Sequence, residues 1–170
     1  AKAAAWIESL GGSRKSRLAE LLNVEAGWER AVETALGDYL EAVCVDGLDS
    51  LESALQRLGS GSVSFIEPGS ERSSGAAGTL AGRVTGPAAV VGLLDGIGTA
   101  DSLAEALRRR NALGRHQSLV TATGEWVGAD WLRVRRVGDP RAGVLEREHR
   151  LKLLREASVA ARETREAVLE

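Results

Sequence analysis

The stretch "DSLAEALRRR", residues 101–110, repeats at a distance of 52 positions the stretch "DSLESALQRL", residues 49–58. Each begins with an Asp-Ser pair suited to capping a helix and continues with apolar residues at helical spacing. Asp49 or Ser50 is placed to cap the first copy, whose apolar face is Leu51, Ala54, Leu55 and Leu58, with Gly59 just past its end. In the second copy Ser102 with Glu105 three residues on makes a capping box, and Leu103, Ala106 and Leu107 form the face. A strand follows each helix, "SVSFIEPG" at 62–69 and "QSLVTATG" at 117–124. Two copies of helix, turn, strand and Gly predict a domain of two related halves.

Outward from the first copy, "RLAELLNVEAGWERAVETALGDYLEAVCVD", residues 17–46, carries Leu18, Leu21, Leu22, Trp28, Ala31, Val32, Ala35 and Leu36 at steps of three and four. Helix is expected there, stopped by Gly37, and "LEAVCVD" has the apolar, β-branched character of a buried strand. Between the halves, residues 68–79 are dense in Gly and Ser and read as a linker or flexible loop. After the second copy, "EWVGADWLRVRRV", residues 125–137, alternates well enough for one or two strands, and Gly138 to Pro140 break it. "AAAWIESL", residues 3–10, predicts a short N-terminal helix ended by Gly11-Gly12.

From Val144 the chain reads as helix to its end. Positions 144, 147, 151, 154, 158, 161, 165 and 168 step by three and four, a coiled-coil seam that is strongly apolar only in its middle. Such a helix needs a partner. The nearest candidate is the N-terminal helix, through Trp6, Ile7 and Leu10. The expected fold class is therefore α/β (α+β): two similar subdomains with small mixed sheets flanked by helices, plus a short antiparallel coiled-coil stub formed by the two terminal helices. The boundaries read as stub 1–10, subdomain I 11–75, subdomain II 76–143 and stub 144–170.

Composition bounds the function. The chain has 170 residues, 44% of them hydrophobic, and a net charge of −2, enough to fill a core without a global attraction to nucleic acid. No apolar run approaches membrane-spanning length and no basic-then-apolar leader is present, so a cytoplasmic location is expected. Methionine is absent even at position 1, and the last helix runs to Glu170, which reads as a piece of a longer chain. Cys44 is the single cysteine and reads as a small buried hydrophobe. Between Arg133 and Arg155 eight Lys and Arg stand against three acids, which is either a phosphate footprint or a solvated helix face.

Catalytic equipment is sparse. The sequence has no G-x-S-x-G elbow, no Cys-x-x-Cys pair and no Walker A loop. His116 and His149 have no His or Cys at i+3 or i+4 and read as surface residues. "GIGTAD", residues 96–101, starts like a dinucleotide fingerprint but lacks the third Gly. The tryptophans at 28, 126 and 131 read first as core, and as a base-stacking platform only if Trp131 is exposed beside the basic stretch. No catalytic residue, cofactor or metal is assigned.

These residues together resemble a known family, the hinge domains of bacterial structural maintenance of chromosomes (SMC) proteins. The resemblance covers about residues 11–155 and is carried by the 17–46 stretch, by "SVSFIEPG", by "SLVTATGEWVG" at 118–128 and by "GVLERE" at 143–148. One departure is that many hinges carry glycine pairs where this chain keeps only Gly128 and Gly138, with Arg133, Val134 and Arg135 around the expected pair. The resemblance implies a homodimer joining two coiled-coil arms, with ATP-hydrolysing heads elsewhere in the full-length chain. It implies chromosome condensation and segregation, sequence-independent DNA binding near the junction of hinge and coil, no membrane partner and a nucleoid-associated location.

Open sheet edges could close such a ring by pairing half one with half two of the other protomer. The expected edge segments are 62–66, 118–121 and 131–135, giving Ser62, Val63, Ser64, Phe65, Ile66, Leu119, Val120, Gly128, Leu132 and Val134 as interface residues. Arg133, Arg135, Arg136, Arg141, Arg147, Arg150, Lys152 and Arg155 are the expected phosphate contacts. Two other readings fit the residues, a small α/β ligand-binding or enzymatic domain of a longer cytoplasmic protein and an adaptor that dimerises through its coiled coil alone.

Overall fold

A computed structural model describes residues 16–136 and 143–169 of the chain. The expected N-terminal helix and its pairing with the last helix lie outside the described residues, as do Gly138 and Arg141.

The repeated stretches turn out to be crossovers. Strand β2 (Val43–Cys44) runs through a 3-10 turn (Asp49–Leu51) and helix α3 (Glu52–Leu55) into β3 (Phe65–Ile66), which pairs with β2 in parallel. Strand β6 (Ile97–Ala100) runs through helix α5 (Leu103–Arg109) into β7 (Ser118–Thr121), again parallel. Parallel neighbours require a crossover, which is why each copy has a helix between its strands. In the second copy the cap is made as expected, with Ser102 Oγ accepting from the Glu105 N–H at 3.1 Å. The Glu105 carboxylate returns to the N–H of Asp101 rather than to that of Ser102. In the first copy neither Asp49 nor Ser50 caps; Ser50 Oγ donates to the Gly47 carbonyl, and the chain opens with a 3-10 turn. Leu55 and Leu107, expected on buried faces, are exposed.

The long helical reading of residues 18–36 is broken in two. Helix α1 (Leu18–Leu21) stops before β1 (Asn23–Val24), and α2 (Glu29–Leu36) follows a turn. Gly37 ends α2 at φ +53°, a conformation that costs glycine least, and its N–H returns to the Glu33 carbonyl. The linker expected over 68–79 is instead partly sheet. Strand β4 (Arg72–Ser74) pairs antiparallel with β5 (Val84–Pro87), which also pairs with β1, giving the order β1-β5-β4. The boundary expected at 75/76 therefore falls between two partner strands. Helix α4 (Ala88–Leu94) follows β5.

The four-stranded sheet has the order β6-β7-β8-β9, with β8 (Glu125–Val127) and β9 (Leu132–Val134) added as an antiparallel hairpin. In the main core Leu18, Leu22, Val32, Leu36, Leu80, Val90, Leu94 and Val120 come together from both halves of the sequence. A smaller cluster joins Ala106 of α5 to Leu119 and Val127, and another joins Val43, Val45 and Leu51. The last helix, α6 (Val144–Leu169), sends Leu145 into the main core. No helix among the described residues is long and apolar enough to cross a membrane.

Candidate functional site

The site is built where the β8–β9 hairpin, α2 and the first turns of α6 meet. Strand β9 is an edge: β8 pairs with one side of it, and no described strand pairs with the other. All three of its residues are exposed; Arg133 lies between the apolar Leu132, 51% exposed, and Val134, 41% exposed, and Trp131 just before the strand is 42% exposed. Trp131 packs edge-on against Trp126 at 4.9 Å between ring centroids, and Trp126 Nε1 donates to Ser118 Oγ at 2.9 Å. Gly128 makes this possible, because a Cβ there would lie 2.1 Å from Trp131 Nε1. Beside Trp131 an open cleft of about 340 Å³ is lined by Tyr39, Leu93, Leu94, Ile97 and His116, and both Tyr39 and Leu93 are exposed.

The first half offers a second open edge. Among the described residues strand β3 pairs only with β2, whose other side is occupied by the bridge from Arg17 to Val43. Val63, Ser64, Phe65 and Ile66 are half-buried and Ser62 is exposed; only Phe65 and Ile66 form the strand proper. The segment 118–121 is a correction. Strand β7 is held between β6 and β8, and Leu119 and Val120 are buried inside the domain, so they present no edge. The sequence shows an apolar run in either case; only the return of the β8–β9 hairpin makes this one interior.

The basic residues do not act alike. Arg133 lies over the Trp126 ring at 5.3 Å, and Arg136 stands 3.9 Å from the Glu125 carboxylate with most of its side chain in solvent. Arg150 is 3.8 Å from Glu146 on the exposed face of α6, where Arg147 and Arg155 are also exposed. Arg135 is half-buried and donates to the Glu33 carbonyl at 3.4 Å. Lys152 is turned inward, its Nζ donating to the Leu22 carbonyl at 2.9 Å. Burial pushes this ammonium below the usual lysine range, Arg72 adds to the effect, and Glu148, Glu20 and Glu156 oppose it. Lys152 thus differs from the exposed arginines of the basic set in being engaged with a backbone carbonyl.

Two buried carboxylates were missed by the sequence reading. Glu33, 2% exposed on α2, accepts from the N–H groups of Gly143 at 3.0 Å and Leu145 at 2.9 Å, the first turn of α6. Glu125, 8% exposed on β8, accepts from the hydroxyls of Thr121 and Thr123. Burial raises its pKa, but the two hydroxyls, a backbone N–H and Arg136 outweigh that and hold it below the ordinary glutamate value. An open cleft of about 480 Å³ lies beside Glu33, lined by Arg30, Thr123, Arg135, Arg136 and Glu146 among others. Cys44, expected to be buried, is half-buried. The "GIGTAD" segment is strand β6 followed directly by the capped helix, so it forms no phosphate loop.

A domain of two strand–helix–strand units that share one core and deliver a long helix from its edge is the architecture of a hinge between coiled-coil arms. The family model described as the SMC proteins Flexible Hinge Domain matches residues 14–110, and the chain belongs to that family. The Chromosome partition protein Smc of Xanthomonas oryzae is 37% identical over 153 residues, and that of Methylococcus capsulatus 38% over 155. These matches cover 90% and 88% of this chain, which spans only 13% of the length of either relative. An asymmetric dimer of the Geobacillus stearothermophilus SMC hinge domain has the same fold, with a TM-score of 0.70 at 22% identity, covering 96% of this chain and 74% of that one.

Proposed function

We propose that this chain is the dimerisation hinge of a chromosome-partition ATPase, joining two copies of a long protein through the open edge of β9. The supporting observation is that edge itself: unpaired backbone with Leu132, Val134 and Trp131 exposed beside it. An apolar edge of this kind invites pairing with another chain. The open edge of β3 is the complementary partner, so that half two of one copy meets half one of the other under two-fold symmetry. The Geobacillus hinge of the same fold is a dimer, which supports the same reading. In the full-length protein the hinge would hold coiled-coil arms whose ATP-hydrolysing heads lie outside this chain, in the cytoplasm at the nucleoid; the hinge has no catalytic role, cofactor or membrane partner of its own.

The second part of the proposal is sequence-independent binding of DNA phosphates near the start of α6. Arg133, Arg136, Arg147, Arg150 and Arg155 are the exposed residues that fit it. Binding through them should fall with salt at a log-log slope of about −0.9 per phosphate contact.

Light scattering of the chain over a dilution series tests the first part. A dimer that becomes a monomer on combining Leu132→Asp with Val134→Asp supports the β9 interface; an unchanged dimer overturns it. For the second part, combining Arg133→Glu, Arg136→Glu and Arg150→Glu should weaken DNA binding without altering the dimer. Unchanged affinity would make these residues an ordinary solvated face.

A further inference from the structure

Helix α6 is 26 residues long, and only its first turns are buried against the described part of the domain. Leu145 is buried, Val144, Glu148 and Lys152 are half-buried, and every residue from Leu153 to Val168 is exposed. The helix stands on a foot of residues 144–152. Of the coiled-coil seam read from the sequence, only its first position, Val144, packs against the domain, while 147, 151 and 154 are exposed; from there on the docked face is 145, 148 and 152.

The apolar foot, Leu145 with the half-buried Val144 beside it, does not by itself fix the direction of a helix, because apolar contact is non-directional. Two polar contacts accompany it. At the first turn, both carboxylate oxygens of Glu33 are taken by N–H groups of Gly143 and Leu145. Two turns later, Lys152 Nζ reaches the Leu22 carbonyl just past the end of α1. At 1.5 Å per residue the two anchors are about 10 Å apart along the helix axis. Both suit the helix dipoles, an anion at the positive end of α6 and a cation at the negative end of α1.

The choice of residue at 33 is informative. Its neighbours on α2, Ala31, Val32, Thr34 and Leu36, are buried. A buried carboxylate is costly unless fully hydrogen-bonded, and an apolar residue there would fill the same space. What an apolar residue could not do is hold the first turn of α6 at one angle. Gly143 has φ +83°, a backbone conformation that favours glycine, at the point where Glu33 grips the start of the helix.

We infer that Glu33 and Lys152 are positioning residues forming a two-point clamp that fixes the angle at which the exit helix leaves the domain, and that release of either point lets the helix swing about Leu145. The inference concerns the single chain and holds whether or not that chain dimerises or binds DNA. It assigns to two buried polar groups the task of making domain and arm move as one body.

The experiment is pulsed electron–electron resonance on the whole chain with Cys44→Ser and spin labels at Gln56→Cys, just past α3, and Glu163→Cys, on the exposed part of α6. Both label sites are exposed. An excess of unlabelled chain confines the signal to distances within one copy. The clamped chain should give one narrow distance peak. Lys152→Met, which keeps the apolar stem and removes the ammonium, should lose that peak to a broad distribution, and so should Glu33→Ala. Glu33→Gln, which retains one acceptor oxygen, should recover part of it, and Glu146→Ala, an exposed charge on the same turn, should change nothing. Tryptophan fluorescence melting reports whether the domain is intact in each variant. A narrow, unshifted peak in Lys152→Met overturns the clamp even if Glu33→Ala fails to fold, and so does a narrow peak in a folded Glu33→Ala.

Discussion

The indole of Trp131 lies over the bare backbone of Gly128, so close that a Cβ at 128 would fall 2.1 Å from Nε1. The same two residues are joined by a hydrogen bond from the Gly128 N–H to the Trp131 carbonyl at 2.9 Å. The β8–β9 turn and the exposed aromatic beside the open edge therefore depend on one missing methyl group.

Gly128→Ala should expel the indole and break the edge-on contact with Trp126. Overpacking of this kind costs about 1–3 kcal/mol. Urea unfolding followed by tryptophan fluorescence should show that loss with a changed native emission. An unaltered midpoint would mean that the turn can open without disturbing Trp131.

Ser102→Ala should cost about 0.5–2 kcal/mol, the usual loss when a capping hydroxyl is removed. Ser50→Ala should cost less, because the Ser50 hydroxyl serves a loop carbonyl and no helix N–H. The pair measured side by side in urea tests whether the two repeated stretches are capped differently. Equal losses would contradict the hydrogen bonding described.

Glu125 has a pKa below its ordinary value in the folded chain, so its ionised form stabilises the fold. The contribution is complete above the unfolded glutamate pKa and is lost as the pH falls through the lower, folded value. Glu125→Gln should be destabilised at neutral pH, and its deficit relative to the parent should shrink in acid. Urea midpoints of both chains from neutral pH down into the acid range give the comparison; a deficit that stays constant would show that the charge of Glu125 is not the source.

Burial raises the Cys44 thiol pKa, Glu20 raises it further and Arg17 partly opposes them. Alkylation should therefore be slower at neutral pH than for a free thiol and should accelerate into the alkaline range, since the thiolate is the nucleophile. Glu20→Gln should speed it. Reaction with iodoacetamide, followed by mass spectrometry across pH, measures both effects.

Much of the fold was legible because it is written in local patterns. The two Asp-Ser stretches mark the crossover helices, the Ser102 cap is made by residues three apart, and the β8–β9 pair follows from alternation over residues 125–134. The exit helix was legible from Val144 onward for the same reason. The break between α1 and α2 was not, since Leu18 and Leu22 keep helical spacing with the residues after them while β1 is drawn out by pairing with β5, sixty residues away.

What the tertiary structure alone decided is which of these elements remain open and which polar groups lie inside. Residues 118–121 and 132–134 are both short apolar runs, and only the order of the sheet makes the first interior and the second an edge. Glu33, Glu125 and Lys152 look like solvated charges in a window of sequence, because their partners are backbone groups and hydroxyls whose positions no periodicity records. Periodicity reports the face a segment turns inward; the contacts of Glu33 with Gly143 and Leu145 span 110 and 112 residues and exist only once both halves have folded around one core.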